Sequence, residues 1–272
     1  MLLEARSASK TFRARRGAGA VHAVVEADLR AEPGRFIAIV GESGSGKSTL
    51  ARMLLGLVPA SSGEVALDGI DLSRMSRSQR EHFRLSVQAV LQDPSGSLNP
   101  RKRVGQAIGE IVRLHRVART RDGVREQVLR ALELVGLTPP ESFVDRFPHE
   151  LSGGQRQRVL IARAIVLDPK IIVADEAVSA LDASVKAGVL RQMNDLKERL
   201  GVGFVFITHD LPVVKKVADE VYVMTGGRIV EHGETARIFN APEHPYTRSL
   251  LGAQLALEDP TPARTIRRRG DT

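Results

Sequence analysis

The chain has 272 residues, 42% of them hydrophobic and 26% charged, enough apolar surface to bury a sizeable core, which excludes a disordered or collagen-like chain. It has no cysteine, and this excludes a disulfide framework, thiolate zinc sites, cysteine-ligated iron–sulfur clusters and a catalytic thiol. The 40 Lys and Arg against 32 Asp and Glu leave a net charge of +8, which calls for an acidic partner without choosing among nucleic acid, anionic lipid and phosphate.

With eight Phe, two Tyr and no Trp, base-stacking platforms are scarce. The basic clusters Arg13, Arg15, Arg16 and Arg264, Arg267, Arg268, Arg269 therefore read as solvated surface. The opening MLLEARSASK carries Glu4 and Arg6 where a secretory leader needs its apolar stretch. No apolar run approaches the roughly 18 residues of a membrane span. The expectation is a soluble, cytosolic protein.

In chain order, a strand-like run at Val21 to Leu29 precedes Phe36 to Val40, five consecutive apolar residues of buried-strand type. A glycine-rich turn follows. A helical pattern then runs from Lys47 through Leu50, Met53, Leu54 and Leu57 and stops before Pro59. Residues 63 to 75 read as short strands and turns. Ser78 with Glu81 offers a capping box for a helix ending near Leu85, and Val87 to Leu91 reads as a strand. Loop chemistry from Asp93 to Pro100 introduces apolar residues at helical spacing from Val104 to Val135, closed by Gly136. A helix from about Gly154 to Leu167, a strand at Ile171 to Ala174, a helix N-capped by Asp182 and ending at Gly201, and a strand from Phe204 to Thr208 come next. A helix after Asp210, a strand at Val221 to Met224, the Gly226-Gly227 turn and a strand at Arg228 to Glu231 complete the alternation. Strands alternating with helices argue for a largely parallel sheet covered on both faces.

Gly41-Glu42-Ser43-Gly44-Ser45-Gly46-Lys47-Ser48 fits G-x-x-x-x-G-K-[ST] between a strand and a helix. Its glycines let backbone N–H groups converge on phosphate oxygens, and the helix N-terminus adds positive dipole. Lys47 reaches the β- and γ-phosphates, Ser48 can ligate Mg²⁺, and Thr49, next in the first helical turn, is counted with the nucleotide-binding residues. Asp175 and Glu176 end the Ile171 to Ala174 strand, where ligands of open α/β sheets bind. With the phosphate loop upstream, Asp175 reads as part of the Mg²⁺ shell and Glu176 as the general base for an attacking water.

Leu151-Ser152-Gly153-Gly154-Gln155 resembles the signature of ATP-binding-cassette (ABC) ATPases. The resemblance implies that Ser152, Gly153, Gly154 and Gln155 face the γ-phosphate held by a second protomer. Four further stations match in order, over roughly residues 1 to 250. Gln92 resembles the glutamine that ligates Mg²⁺ and senses a membrane partner. Ser179-Ala180-Leu181-Asp182 resembles the D-loop that contacts the opposite active site, and His209 the switch histidine at the γ-phosphate. Phe12 resembles the aromatic that stacks on adenine. Gln92-Asp93-Pro94 to Arg101 and the segment Asn240 to Thr247 are similar to the ATPase subunits of peptide and nickel importers. Ala177 departs from the proline that most cassettes carry there, and the tail lacks the cysteines of an iron–sulfur cluster.

The resemblance implies an α/β P-loop NTPase (RecA-like) core, at 1–92 and 168–235, with an antiparallel β portion. It also implies an inserted α-helical subdomain at 93–167 and a C-terminal extension at 236–272. The activity implied is ATP hydrolysis with Mg²⁺, powering an importer of peptides, or of nickel. The implied partners are a second cassette, a sister chain before a copy of this one, two transmembrane permeases and, indirectly, an extracytoplasmic binding protein. The place implied is peripheral, on the cytoplasmic face of the cell membrane, with no nucleic acid bound. The alternative is a soluble cassette acting on nucleic acid or ribosomes; the coiled-coil or zinc insertions and tandem cassettes usual there are missing. A P-loop kinase or GTPase leaves the LSGGQ run unexplained.

Overall fold

The computed structural model describes residues 1–13, 19–91, 98–179 and 181–258. Gln92, Ala180, Arg15, Arg16 and the four tail arginines lie outside these residues.

The described strands form two sheets. Strands β1 (Leu3–Arg13), β2 (Ala20–Ala31), β4 (Ser62–Leu67) and β5 (Ile70–Asp71) make an antiparallel sheet in the order β2-β1-β4-β5. Strands β3 (Phe36–Val40), β6 (Val87–Val90), β7 (Ile171–Asp175), β8 (Gly203–Thr208), β9 (Glu220–Thr225) and β10 (Arg228–Glu234) make the second, ordered β10-β9-β3-β8-β7-β6. All its neighbours run parallel except the β9–β10 hairpin at the edge.

Side chains of β3, β7 and β8 are buried along their whole length, as both faces of a covered parallel sheet require. Alternation divides them between two cores. Ile37, Ile39, Ile171, Val173, Val205 and Ile207 face helix α1 (Lys47–Leu54) and the antiparallel sheet. Phe36, Ile172, Ala174, Phe204 and Phe206 face the other way, with the Phe36 and Phe204 rings stacked at 5.2 Å.

Onto that second face pack helices α3 (Val104–Leu114), α4 (Arg121–Leu134), α5 (Glu141–Val144), α6 (Gly153–Ile165) and α7 (Ala183–Leu200). Helices α8 (Leu211–Val217), α9 (Thr235–Asn240) and α10 (Pro245–Glu258) follow in the chain. Residues of all three join a smaller core against Ala38, Val40, Val221 and Val223.

Four local expectations need correction. Helix α1 stops at Leu54 rather than Leu57, because Gly56 turns left-handed at φ 65° and the Leu57 N–H returns to the Arg52 carbonyl, a closure that glycine favours. The capping box of α2 (Arg77–Ser86) is Ser76 with Gln79, two residues before Ser78 and Glu81. Both pairs fit the pattern, and the earlier one forms because Ser76 is extended (ψ 170°) and Arg80 Nε binds back to the Met75 carbonyl. Asp182 holds the N-cap position of α7 but makes no side-chain capping bond, leaving its exposed carboxylate off the helix end. The helical spacing from Val104 to Val135 also resolves into two helices, broken where Arg116 takes φ 57°.

Candidate nucleotide-binding site

The carboxyl ends of β3, β7 and β8 lie side by side and deliver the phosphate loop, the acidic pair and His209 to one edge. After Val40 the chain turns through Gly41 (φ 152°), Gly44 (φ 80°) and Gly46 (φ 104°). A Cβ on Gly41 would stand 2.0 Å from the Met224 carbonyl oxygen, and one on Gly46 would stand 2.2 Å from that of Ala23. Both positions therefore require glycine, for space as well as dihedral angle.

Helix α1 then begins on Gly46, which has no side chain to cap it, and its first turn holds no acid. The N–H groups of Lys47, Ser48 and Thr49 stay open to an external anion. The Lys47 ammonium donates to the carbonyls of Gly41 (2.8 Å) and Glu42 (2.6 Å) and to Ser45 Oγ (3.2 Å). Burial pushes the Lys47 pKa below its usual value, against the pull of Glu176, Asp175 and Glu42. Ser43 and Gly44 form the exposed rim of the loop.

Ser48 Oγ lies 3.2 Å from Asp175 Oδ1, across 127 residues of sequence. Burial pushes the Asp175 carboxyl above its usual range, although the Ser48 hydroxyl favours its ionised form. Hydroxyl and carboxylate are hard oxygen donors of the kind Mg²⁺ takes. No group of three or more His, Cys, Asp or Glu that would cage a metal occurs among the described residues. The pair thus fits an ion whose remaining ligands are phosphate oxygens and water.

Glu176 leaves β7 at φ 47°, an uncommon backbone for a non-glycine residue. It is fixed at both ends: its N–H donates to Ile207 on β8, and its carbonyl accepts from the Ser179 N–H and hydroxyl. This turn closes with Ala177 buried in it and no proline present. His209 Nδ1 sits 3.4 Å from Glu176 Oε1.

Phe12 is 43% exposed, with the Lys10 ammonium 5.4 Å from its ring centroid. It pairs across the strands with exposed Val21, two residues before the Ala23 carbonyl that abuts Gly46. The ring accordingly occupies an open apolar ledge on the strand pair beside the phosphate loop.

The signature run starts α6. Ser152 Oγ accepts the Gln155 N–H (3.2 Å), while Gln155 Oε1 accepts the Ser152 N–H (3.0 Å). That reciprocal box uses the hydroxyl as acceptor and leaves its proton available for an anion. The run is braced from its own chain. A Cβ on Gly153 would stand 3.3 Å from Leu181 Cδ2, and one on Gly154 would stand 2.4 Å from Val185 Cγ1. Lys47, Ser48 and Asp175 are thus brought together, Glu176 and His209 pair beside them, and Ser152 to Gln155 stand with residues 181 to 185.

Two contributors to the loop were not assigned from sequence. Gly227 donates its N–H to the Ser45 carbonyl (3.0 Å) and accepts the Val25 N–H (2.8 Å), and Tyr246 Oη accepts the Glu42 N–H (3.1 Å). The double glycine signalled only a hairpin turn.

A glycine-cradled lysine under a capless helix, with a serine–aspartate pair beside it, defines a P-loop nucleotide-binding cassette. The chain belongs to the ABC transporter family, whose pattern residues 24–179 match. It is 45% identical over 256 residues to the dipeptide transport ATP-binding protein DppF of Escherichia coli (strain K12), covering 93% of this chain and 76% of that one. It is 44% identical over 241 residues to the glutathione import ATP-binding protein GsiA of Salmonella typhi, covering 89% of this chain. The chain spans only 38% of the length of that second relative. Among solved structures, the ATP-binding cassette MJ0796, seen as a dimer in a post-hydrolysis state bound to ADP and Pi, is 28% identical with a TM-score of 0.74, covering 86% of this chain and 98% of that one.

Proposed function

We propose that the chain is the ATP-hydrolysing subunit of an importer of short peptides. The observation that carries this reading is the meeting of Lys47, Ser48 and Asp175 at the open N-terminus of α1. The names of the dipeptide and glutathione relatives favour peptide over nickel and over a nucleic-acid partner.

In this reading Lys47 keeps its bond to the Gly41 carbonyl and exchanges that to the Glu42 carbonyl for the β- and γ-phosphates, and the N–H groups of Gly46 to Thr49 hold the phosphate oxygens. Ser48, Asp175 and Gln92 hold Mg²⁺, which when bound neutralises charge on the β- and γ-phosphates. Phe12 stacks on the adenine. Glu176 takes a proton from the attacking water at its carboxylate, and His209 orients Glu176 and contacts the γ-phosphate. Ser152 donates its hydroxyl proton, and Gly153 and Gly154 their N–H groups, to the γ-phosphate of a nucleotide held by a second cassette. Gln155 keeps Ser152 in place, and Asp182 faces that second site.

Two cassettes closing on two nucleotides would pull on two transmembrane permeases at the cytoplasmic face of the membrane. A sister cassette is favoured over a second copy, and an extracytoplasmic binding protein delivers the peptide. No helix among the described residues is long and apolar enough to cross a membrane, so the permeases supply the path. The test is ATP turnover in proteoliposomes holding the chain with its permeases. Turnover should rise when peptide-loaded binding protein is added. Turnover indifferent to peptide but stimulated by DNA or ribosomes would sink the importer reading.

A further inference from the structure

The C-terminal segment from Asn240 to Thr247, with no part in the cycle above, is tied to the phosphate loop. The Glu231 carboxylate on β10 accepts the backbone N–H groups of Glu243 (2.8 Å) and His244 (3.0 Å), and His244 Nδ1 accepts the Tyr246 N–H (3.2 Å). So held, the Tyr246 ring packs against the core of Ala38, Val40, Val221 and Val223, and its hydroxyl accepts the Glu42 N–H at 3.1 Å.

That N–H belongs to the peptide unit whose carbonyl is Gly41 C=O. In a trans peptide the two groups point in opposite directions. With the N–H side held by Tyr246, the carbonyl side faces Lys47 Nζ, 2.8 Å away. The Glu42 carbonyl of the next unit takes the same ammonium. The Tyr246 hydroxyl and the Lys47 ammonium thus grip opposite sides of one peptide plane. This plane follows a Gly41 whose φ of 152° lacks the side-chain restraint that would otherwise stop it from turning.

We propose that Tyr246 is a positioning residue for Lys47, fixing the Gly41–Glu42 peptide and thereby setting the grip of the loop on the β-phosphate and beyond. The inference rests on the reading that Lys47 meets those phosphates. A preformed loop has less freedom to lose on binding. Removing the hydroxyl therefore weakens nucleotides that reach Lys47 and spares those that do not.

The test compares wild type, Tyr246→Phe, Lys47→Ala and the double variant in the full chain, with ATP, ADP and AMP as probes. Tyr246→Phe is expected to weaken ATP and ADP about 3- to 10-fold, the scale of one lost hydrogen bond. AMP affinity should stay within about 2-fold. Amide hydrogen exchange across residues 41–46 should quicken, and the substitution should add nothing in the Lys47→Ala background. Unchanged ATP and ADP affinity in Tyr246→Phe, alongside a large loss in Lys47→Ala, overturns the role of Tyr246 and leaves the site standing. A Lys47→Ala chain that binds ATP as well as wild type overturns both. An equal loss for AMP, or a full effect in the double variant, shows that Tyr246 does not act through Lys47 and also overturns the proposal.

Discussion

His209 and Glu176 meet from the ends of neighbouring strands, Nδ1 to Oε1 at 3.4 Å, and Glu176 takes a left-handed backbone to make the approach. The carboxylate is thereby carried off the strand axis toward the loop edge, while Asp175, one residue earlier, stays within reach of Ser48.

This geometry divides the labour of the acidic pair. Glu176→Gln should slow ATP hydrolysis by about 10²- to 10⁴-fold, the usual worth of a general base, and leave ATP affinity nearly unchanged. With hydrolysis blocked, an ATP-bound pair of cassettes should persist through size-exclusion chromatography. Hydrolysis at the wild-type rate would remove Glu176 from the role of base.

Ser152 caps α6, and in the proposed cycle it also meets the partner's nucleotide; one substitution separates the two. Ser152→Ala removes the cap of α6 and should lower stability by about 1 kcal/mol, read in a denaturant titration. Because the Gly153-Gly154 turn that follows Ser152 stands against Leu181 and Val185, ATP binding by the isolated chain should not change, while hydrolysis by the assembled pair should fall at least about 10-fold. A drop in ATP affinity of the isolated chain would place Ser152 at its own nucleotide.

Glycine is required at position 46 and much less so at position 69. Gly69 has φ 78° with nothing near its missing Cβ, whereas Gly46 has φ 104° and faces the Ala23 carbonyl at 2.2 Å. Gly69→Ala should cost about 1 kcal/mol of backbone strain. Gly46→Ala should cost more in the same melt and abolish detectable ATP binding. Equal melting temperatures for the two variants would contradict the packing described for the loop.

Glu231 makes the anchorage of the C-terminal segment sensitive to acid. Burial pushes its carboxyl up, but the hydrogen bonds from Glu243 and His244 outweigh burial and hold its pKa below the usual carboxylate range. A depressed folded pKa contributes stability that is complete above the unfolded value and is lost as pH falls through the folded one. Glu231→Gln should therefore be less stable than wild type by about 1–3 kcal/mol at neutral pH. That gap should narrow below the ordinary carboxylate range. A difference that holds constant down to strongly acid pH would show that the charge does not carry the anchorage.

The phosphate loop and the acidic pair could be read as local patterns: strand, glycine turn and helix start lie within a dozen residues, where periodicity speaks directly; the signature turn was read from its resemblance to a family motif. The groups that shape the loop from outside were not legible. The carbonyl of Met224 that demands Gly41, the Gly227 hub and the Tyr246 hydroxyl come from far along the chain, the last 204 residues from its partner. Backbone carbonyls carry no sequence signal, and a tyrosine in a polar segment reads as surface. The shift of the capping box from Ser78 to Ser76 has a similar origin, since two overlapping patterns are equal in sequence and the Arg80 bond to Met75 favours one.

The Gly226-Gly227 turn lies at a place where hairpins ordinarily accept extra residues. Here the second glycine stitches the hairpin to Val25 on one strand and to Ser45 in the loop. The strand beside the Phe12 ledge and the cradle that carries Lys47 are thereby tied through one residue. In the proposed reading, a nucleotide lying between them meets two parts of one lock, and a single inserted residue at this distant corner would put that lock out of gauge.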